Sequence, residues 1–146
     1  MTRLDAKSLL ALAGVLTVSF GSFAGPAAAD PVEDGKKLFA RCAACHTLEA
    51  GKNKVGPSLA GVVGRKAGTA PGYKYSDLNH ESGEAGLTWT TETIAAYLPD
   101  PTKFLIEYLK ANGKADEAKG RSKMTFKMSK PADAEAIAAY LASLPQ

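Results

Sequence analysis

The sequence predicts an all-α domain, and three observations carry that expectation. Apolar residues recur at helical spacing in four stretches. Those stretches are bounded by capping and breaking residues, among them Thr90, Asp100-Pro101, Asn112-Gly113 and Pro131. The long segment between the first and second stretches, Gly51 to Leu87, shows neither a helical nor a strand period. In the first stretch, Val32 to Cys45, the repeating positions are Val32, Gly35, Leu38, Phe39 and Cys42. Glycine inside a helix costs about 1 kcal/mol relative to alanine, so Gly35 calls for a packing reason. In the second, Thr91 to Leu98, Ile94, Tyr97 and Leu98 share a face, with Thr90 as N-cap and Glu92 in the first turn. Asp100 then suits an N-cap and Pro101 the first helical position of a third helix. Phe104, Leu105, Tyr108 and Leu109 form its stripe, and Asn112-Gly113 ends it. The last helix starts near Pro131 and is expected to bury Ile137, Tyr140, Leu141 and Leu144.

A structureless connection as long as Gly51–Leu87 is normally evidence against a compact domain. A bound ligand removes the difficulty, because the loop can wrap it and bury apolar side chains against it. The first helix runs straight into Cys42-Ala43-Ala44-Cys45-His46, which holds the chain's two cysteines. C-x-x-C-H is the attachment signature of c-type haem. On a helical turn, thiols three residues apart project to one side, where they can bond two vinyl-derived carbons of one porphyrin edge. The adjoining imidazole then supplies a proximal iron ligand. Three other uses of the motif stand beside this one. A thioredoxin-like couple needs a βαβ context, which is not visible here. A Cys2His2 zinc site with His46 and His80 would have poor ligand spacing. A structural disulfide suits an exported protein.

Residues 1–29 read as a secretory signal peptide. Arg3 and Lys7 form a basic start, Ser8 to Ala24 an apolar and small-residue run, and Ala27-Ala28-Ala29 a cleavage motif. Retention as a membrane anchor is the competing use, but Gly14, Ser19, Gly21 and Ser22 interrupt a run barely long enough to span. Cleavage after Ala29 leaves residues 30–146, the size of one domain. The whole chain carries a net charge of +3. That excess is too small to argue for nucleic acid, so any electrostatic partner must be read from where the lysines cluster.

A more specific pattern runs through nearly the whole of residues 30–146. Its strings are Gly35-Lys36-Lys37-Leu38-Phe39, Cys42 to His46, Gly56-Pro57-Ser58-Leu59 and Gly61-Val62-Val63-Gly64-Arg65-Lys66. Gly72-Tyr73-Lys74-Tyr75-Ser76, Trp89-Thr90, Tyr97-Leu98, Lys123-Met124-Thr125-Phe126 and Ala139-Tyr140-Leu141 follow. In this order they resemble the class I cytochromes c, and most closely the bacterial cytochrome c2 branch in its long form. The resemblance implies an all-α fold with crossed first and last helices, long loops, and one covalently bound haem c in a crevice. It implies thioether bonds from Cys42 and Cys45, and His46 as proximal ligand. Pro57 would offer its carbonyl to the other nitrogen of His46, fixing the tautomer. Tyr75 and Trp89 would hydrogen-bond a buried propionate, Arg65 would offset its charge, and Tyr97 would lie beside the sixth ligand. Gly35, Phe39, Ile137 and Tyr140 would form the helix crossing. Without the resemblance, Trp89, Tyr75 and Tyr97 read equally as core aromatics and Arg65 as a surface charge.

For the sixth ligand the candidates are Met124, Met128 and His80. Met124 occupies the family's Lys-Met-x-Phe pattern, which assigns it to the iron. Met128 then reads as core filler, and His80 lies in a polar, solvated stretch. Between Phe104 and Met124 the chain departs from the short family members, because a further helix-like segment and Gly113–Gly120 intervene.

An iron with two protein ligands has no open position for substrate, which favours an electron carrier over an enzyme. By resemblance, the donor is a membrane cytochrome bc1-type complex and the acceptor a reaction centre or a terminal oxidase, with the protein a periplasmic monomer. Lys36, Lys37, Lys52, Lys54, Lys74, Lys103, Lys123, Lys127 and Lys130 are the candidates for a ring that steers acidic partners. The alternative is a haem subunit or peroxidase-type partner of a periplasmic dehydrogenase.

Overall fold

The computed structural model describes residues 30–145, so the expected signal segment lies outside the described residues. Five α-helices follow in order: α1 (Pro31–Leu38), α2 (Asp77–Glu84), α3 (Thr91–Tyr97), α4 (Pro101–Ala111) and α5 (Pro131–Ser143). No strand occurs among the described residues, and one isolated antiparallel bridge joins Lys66 to Thr88. No described helix is long and apolar enough to cross a membrane.

Local chemistry explains where most helices start. The Asp30 carboxylate accepts the Val32 N–H at 2.9 Å, with Pro31 in the first turn of α1. Thr90 and Thr93 form a reciprocal capping box at α3. Asp100 caps α4 by accepting the Lys103 N–H at 3.0 Å. Two departures from the periodicity are instructive. The first helix tightens after Leu38 into a 3₁₀ turn over Phe39–Arg41, and Cys42–Cys45 continue as turns instead of regular α-helix. The stretch Gly51–Leu87 contains α2. Its buried face is Leu78, Asn79, Ser82 and Gly83, only one of them a large apolar residue, so no hydrophobic period marks it.

The crossing of α1 on α5 organises the domain. A Cβ at Gly35 would fall 1.9 Å from the Ala136 carbonyl oxygen, so the two backbones meet only because Gly35 has none. Beside that contact the rings of Phe39 and Tyr140 lie 5.5 Å apart. α5 buries Ala134, Ala136, Ile137, Ala138 and Leu141. Tyr140 and Leu144, expected in that set, are only half-buried. The small alanines take the tight face, and Tyr140 packs beside Phe39. α3 also packs on α5, and α2 on α4. The largest fully buried side chains are Leu78, Leu87, Leu105, Leu109, Met128 and Ile137.

The loops are positioned by few but well-placed bonds. Gly64 N–H donates to the Trp89 carbonyl at 2.7 Å, and Trp89 N–H returns to the Arg65 carbonyl at 2.9 Å. That exchange sets Arg65 next to Trp89. An aromatic row then runs from Trp89 through Tyr97 and Phe104 to Tyr108, with successive centroids 4.9, 5.9 and 6.2 Å apart.

Candidate cofactor site

Among the described residues the helices and loops leave an apolar cleft, whose empty volume, open solvent at its mouth included, is about 790 Å³. Cys42, His46, Pro57, Arg65, Tyr75, Trp89, Tyr97 and Met124 all line it, although they come from both ends of the chain. Cys45 is outside the lining and exposed, whereas Cys42 is buried, and no disulfide joins them. Burial pushes the Cys42 thiol pKa up, partly opposed by Arg41 beside it.

His46 is built by its own neighbourhood. The turn at Cys42 closes with His46 N–H to the Cys42 carbonyl at 2.9 Å. The chain then returns so that Gly56 N–H reaches the Cys45 carbonyl at 2.8 Å. This lays Gly56 against the imidazole, where a Cβ would stand 2.4 Å from His46 Cε1. It also brings the Pro57 carbonyl 2.8 Å from Nδ1. A carbonyl only accepts, so Nδ1 donates, and in the neutral ring Nε2 then keeps the lone pair. Burial favours that neutral form, lowering the imidazole pKa against the opposing pull of the Pro57 bond.

Met124 is half-buried and comes from a segment, 121–130, that lacks regular secondary structure. Its N–H donates to Ser122 Oγ at 3.2 Å, and the same oxygen lies 3.1 Å from the Tyr97 hydroxyl. Burial raises the Tyr97 phenol pKa, with Ser122 and Asn79 pulling it back. Met128 is buried away from the cleft, its N–H bonded to the Leu98 carbonyl at 2.9 Å. His80 is exposed on α2 and does not line the cleft.

Arg65 has an unfinished valence. Nη1 donates to the Ala60 carbonyl at 3.0 Å and Nη2 to the Ser58 carbonyl at 2.9 Å. Its Nε is buried without a hydrogen-bond partner among the described residues. A guanidinium N–H left this way beside a cleft is suited to an anionic group. Periodicity and motif reading missed Tyr73, Ser76, Asn79 and Ser122 as site residues, yet all four line the cleft. Tyr73 and Ser76 lie within Gly72-Tyr73-Lys74-Tyr75-Ser76 and Ser122 two residues before Met124, but Asn79 carries no signal.

The groups in and beside this cleft fit haem c: an imidazole, a thioether, the Cys42 thiol with Cys45 three residues on just outside the lining, apolar walls and an orphan guanidinium N–H. Comparison with known proteins agrees. The family model described as cytochrome c matches residues 32–145. The chain is 56% identical over 110 residues to a cytochrome c2 of Rhodopseudomonas palustris, covering 75% of this chain and 95% of that one. The solved ferricytochrome c2 of the same species aligns with a TM-score of 0.74 at 54% identity, covering 77% of this chain and 97% of its own. The cytochrome c2 structure from Rhodospirillum centenum aligns with a TM-score of 0.76 at 48% identity, covering 81% and 100%. The chain belongs to the cytochrome c family, as a class I cytochrome of the c2 type: an electron-transfer protein, not an enzyme, carrying one covalently bound haem c.

Proposed function

We propose that Cys42 and Cys45 would hold the haem through two thioether bonds and that His46 and Met124 would ligate its iron. The observation that carries this is an apolar cleft lined by both His46 and Met124, which lie 78 positions apart in the sequence. The bound haem supplies reversible one-electron chemistry, and a thioether ligand raises its potential relative to a second imidazole. The protein's part is to hold that site still. The Pro57 carbonyl keeps His46 in the Nδ1–H tautomer. Arg65 Nε–H is available to a propionate, and Tyr75 and Trp89, which also line the cleft, would be further donors to it. Tyr97 and Ser122 set the backbone at Met124.

In this reading the protein works in the periplasm, exported by residues 1–29 with cleavage after Ala29. It takes electrons from a bc1-type complex and passes them to a reaction centre or terminal oxidase. The lysines divide into two groups. Lys36, Lys37, Lys103 and Lys127 lie 3.9, 3.3, 3.8 and 2.5 Å from the carboxylates of Glu33, Asp34, Glu107 and Asp100, and Lys52 pairs with Glu49. Lys123 lines the cleft and donates to the Lys74 carbonyl, and Lys54 donates to the Ala43 carbonyl in the cysteine turn. Lys54, Lys74, Lys123 and Lys130, which have no carboxylate partner among the described residues, are therefore the better candidates for steering an acidic partner.

The test is spectroscopic. In the haem-loaded protein, Met124→Leu should abolish the methionine-linked charge-transfer absorption of the ferric state, and Met124→His should lower the midpoint potential. Met128→Leu should leave the absorption in place. The reverse pattern would transfer the ligand role to Met128.

A further inference from the structure

We propose that Thr102, on α4, is a positioning residue for the Met124 segment: its hydroxyl fixes the backbone of Ser122, and Ser122 in turn fixes Met124 and the Tyr97 hydroxyl. Residues 121–130 lack regular secondary structure, so their buried amides need partners on other elements. Ser122 is only 5% exposed. Its N–H donates to Thr102 Oγ1 at 3.1 Å, and its own Oγ receives the Met124 N–H and meets the Tyr97 hydroxyl. The three bonds form one chain that begins at Thr102. Thr102 does not line the cleft and acts through Ser122.

The helix makes Thr102 a firm anchor. Pro101 opens α4, and Asp100 caps it through the Lys103 N–H. The same Asp100 holds Lys127 on the far side of Met124, at 2.5 Å. The start of α4 thus grips the segment on both sides of Met124. The Asp100–Lys127 pair is exposed and screened by solvent. The Thr102 bond is part-buried, and removing its acceptor strands a buried amide. That difference makes Thr102 the more consequential grip.

The consequence for the iron rests on the reading of Met124 as its ligand; the grip on Ser122 does not. Thr102→Val, which deletes the acceptor and keeps the branched shape, and Thr102→Ser, which keeps the hydroxyl, are to be compared in the haem-loaded full chain. Native-state hydrogen exchange of the Ser122 amide should quicken about tenfold or more in Thr102→Val. Its methionine-linked absorption should vanish at lower guanidinium concentration, while global unfolding followed by far-UV circular dichroism shifts less. Thr102→Ser should restore both. Unchanged Ser122 exchange in Thr102→Val overturns the proposal, and so does a serine variant that behaves like the valine one. A global midpoint falling in step with the local one also overturns it, because that marks a general structural role. If Met124→Leu retains the absorption, the ligand reading fails and Ser122 exchange alone decides the role of Thr102.

Discussion

The two walls of the cleft are held in different ways. The His46 wall is assembled from its own neighbours: Gly56 N–H to Cys45, Leu59 N–H to Thr47, Lys54 N–H to Gly56, and the imidazole to Pro57 only eleven residues on. The Met124 wall is held from afar. Ser122 leans on Thr102 twenty residues away, Lys127 on Asp100 twenty-seven away, and Lys123 on Lys74 forty-nine away. Local backbone bonds form as a unit with their turn. Isolated side-chain grips can release one at a time, which gives a segment low local stability. The His46 wall should therefore fail only with the whole domain, whereas the Met124 wall can open alone.

The largest effect should come from Gly56→Ala. Its Cβ would meet the imidazole well inside contact distance. We expect a loss of about 3 kcal/mol, the upper end for overpacking, read as one cooperative urea transition. Partial opening confined to the His46 turn would break the contrast between the walls.

A smaller, pH-dependent effect belongs to Asp100. The Lys127 ammonium and then the Lys103 amide hold its carboxyl below the ordinary range. A depressed acid contributes stability above its unfolded value, near 4, and that contribution fades as pH falls through the folded value. Asp100→Asn should therefore lower the urea midpoint at neutral pH, and the gap from wild type should close as pH drops below about 4. A gap that does not vary with pH would show that the carboxylate charge is irrelevant.

The smallest effect joins the two walls directly. The Arg41 guanidinium lies 4.9 Å from the centre of the Phe126 ring, linking the cysteine turn to the segment after Met124. Exposed contacts of this kind contribute about 0.5–1 kcal/mol. A double-mutant cycle of Arg41→Ala with Phe126→Leu should return a coupling in that range. A coupling near zero would leave the Met124 wall dependent on α4 and its polar grips.

The same contrast explains what could be read before the fold was known. The starts of α3 and α4 were legible because Thr90, Asp100 and Pro101 act on amides within three residues of themselves. The cysteine turn was legible because its chemistry is packed into five consecutive residues. α2 was not, because its buried face of Leu78, Asn79, Ser82 and Gly83 presents no apolar rhythm. Ser122 was not, because its value lies in partners on α3 and α4. Tyr140 and Leu144 followed the helical period yet remained half-buried, since exposure depends on what α5 meets at each turn.

Residue order was enough to specify four of the five described α-helices, the thiol pair and the imidazole beside it, because caps, periods and turns act over a few bonds of backbone. The meeting of His46 with Met124, the unpaired Nε–H of Arg65 beside the cleft, and the grip of Thr102 on Ser122 all required the folded chain. Each depends on distances of a few ångströms between groups far apart in sequence, and those distances are set by the packing of α1 on α5, by the Arg65–Trp89 exchange, and by the placement of α4.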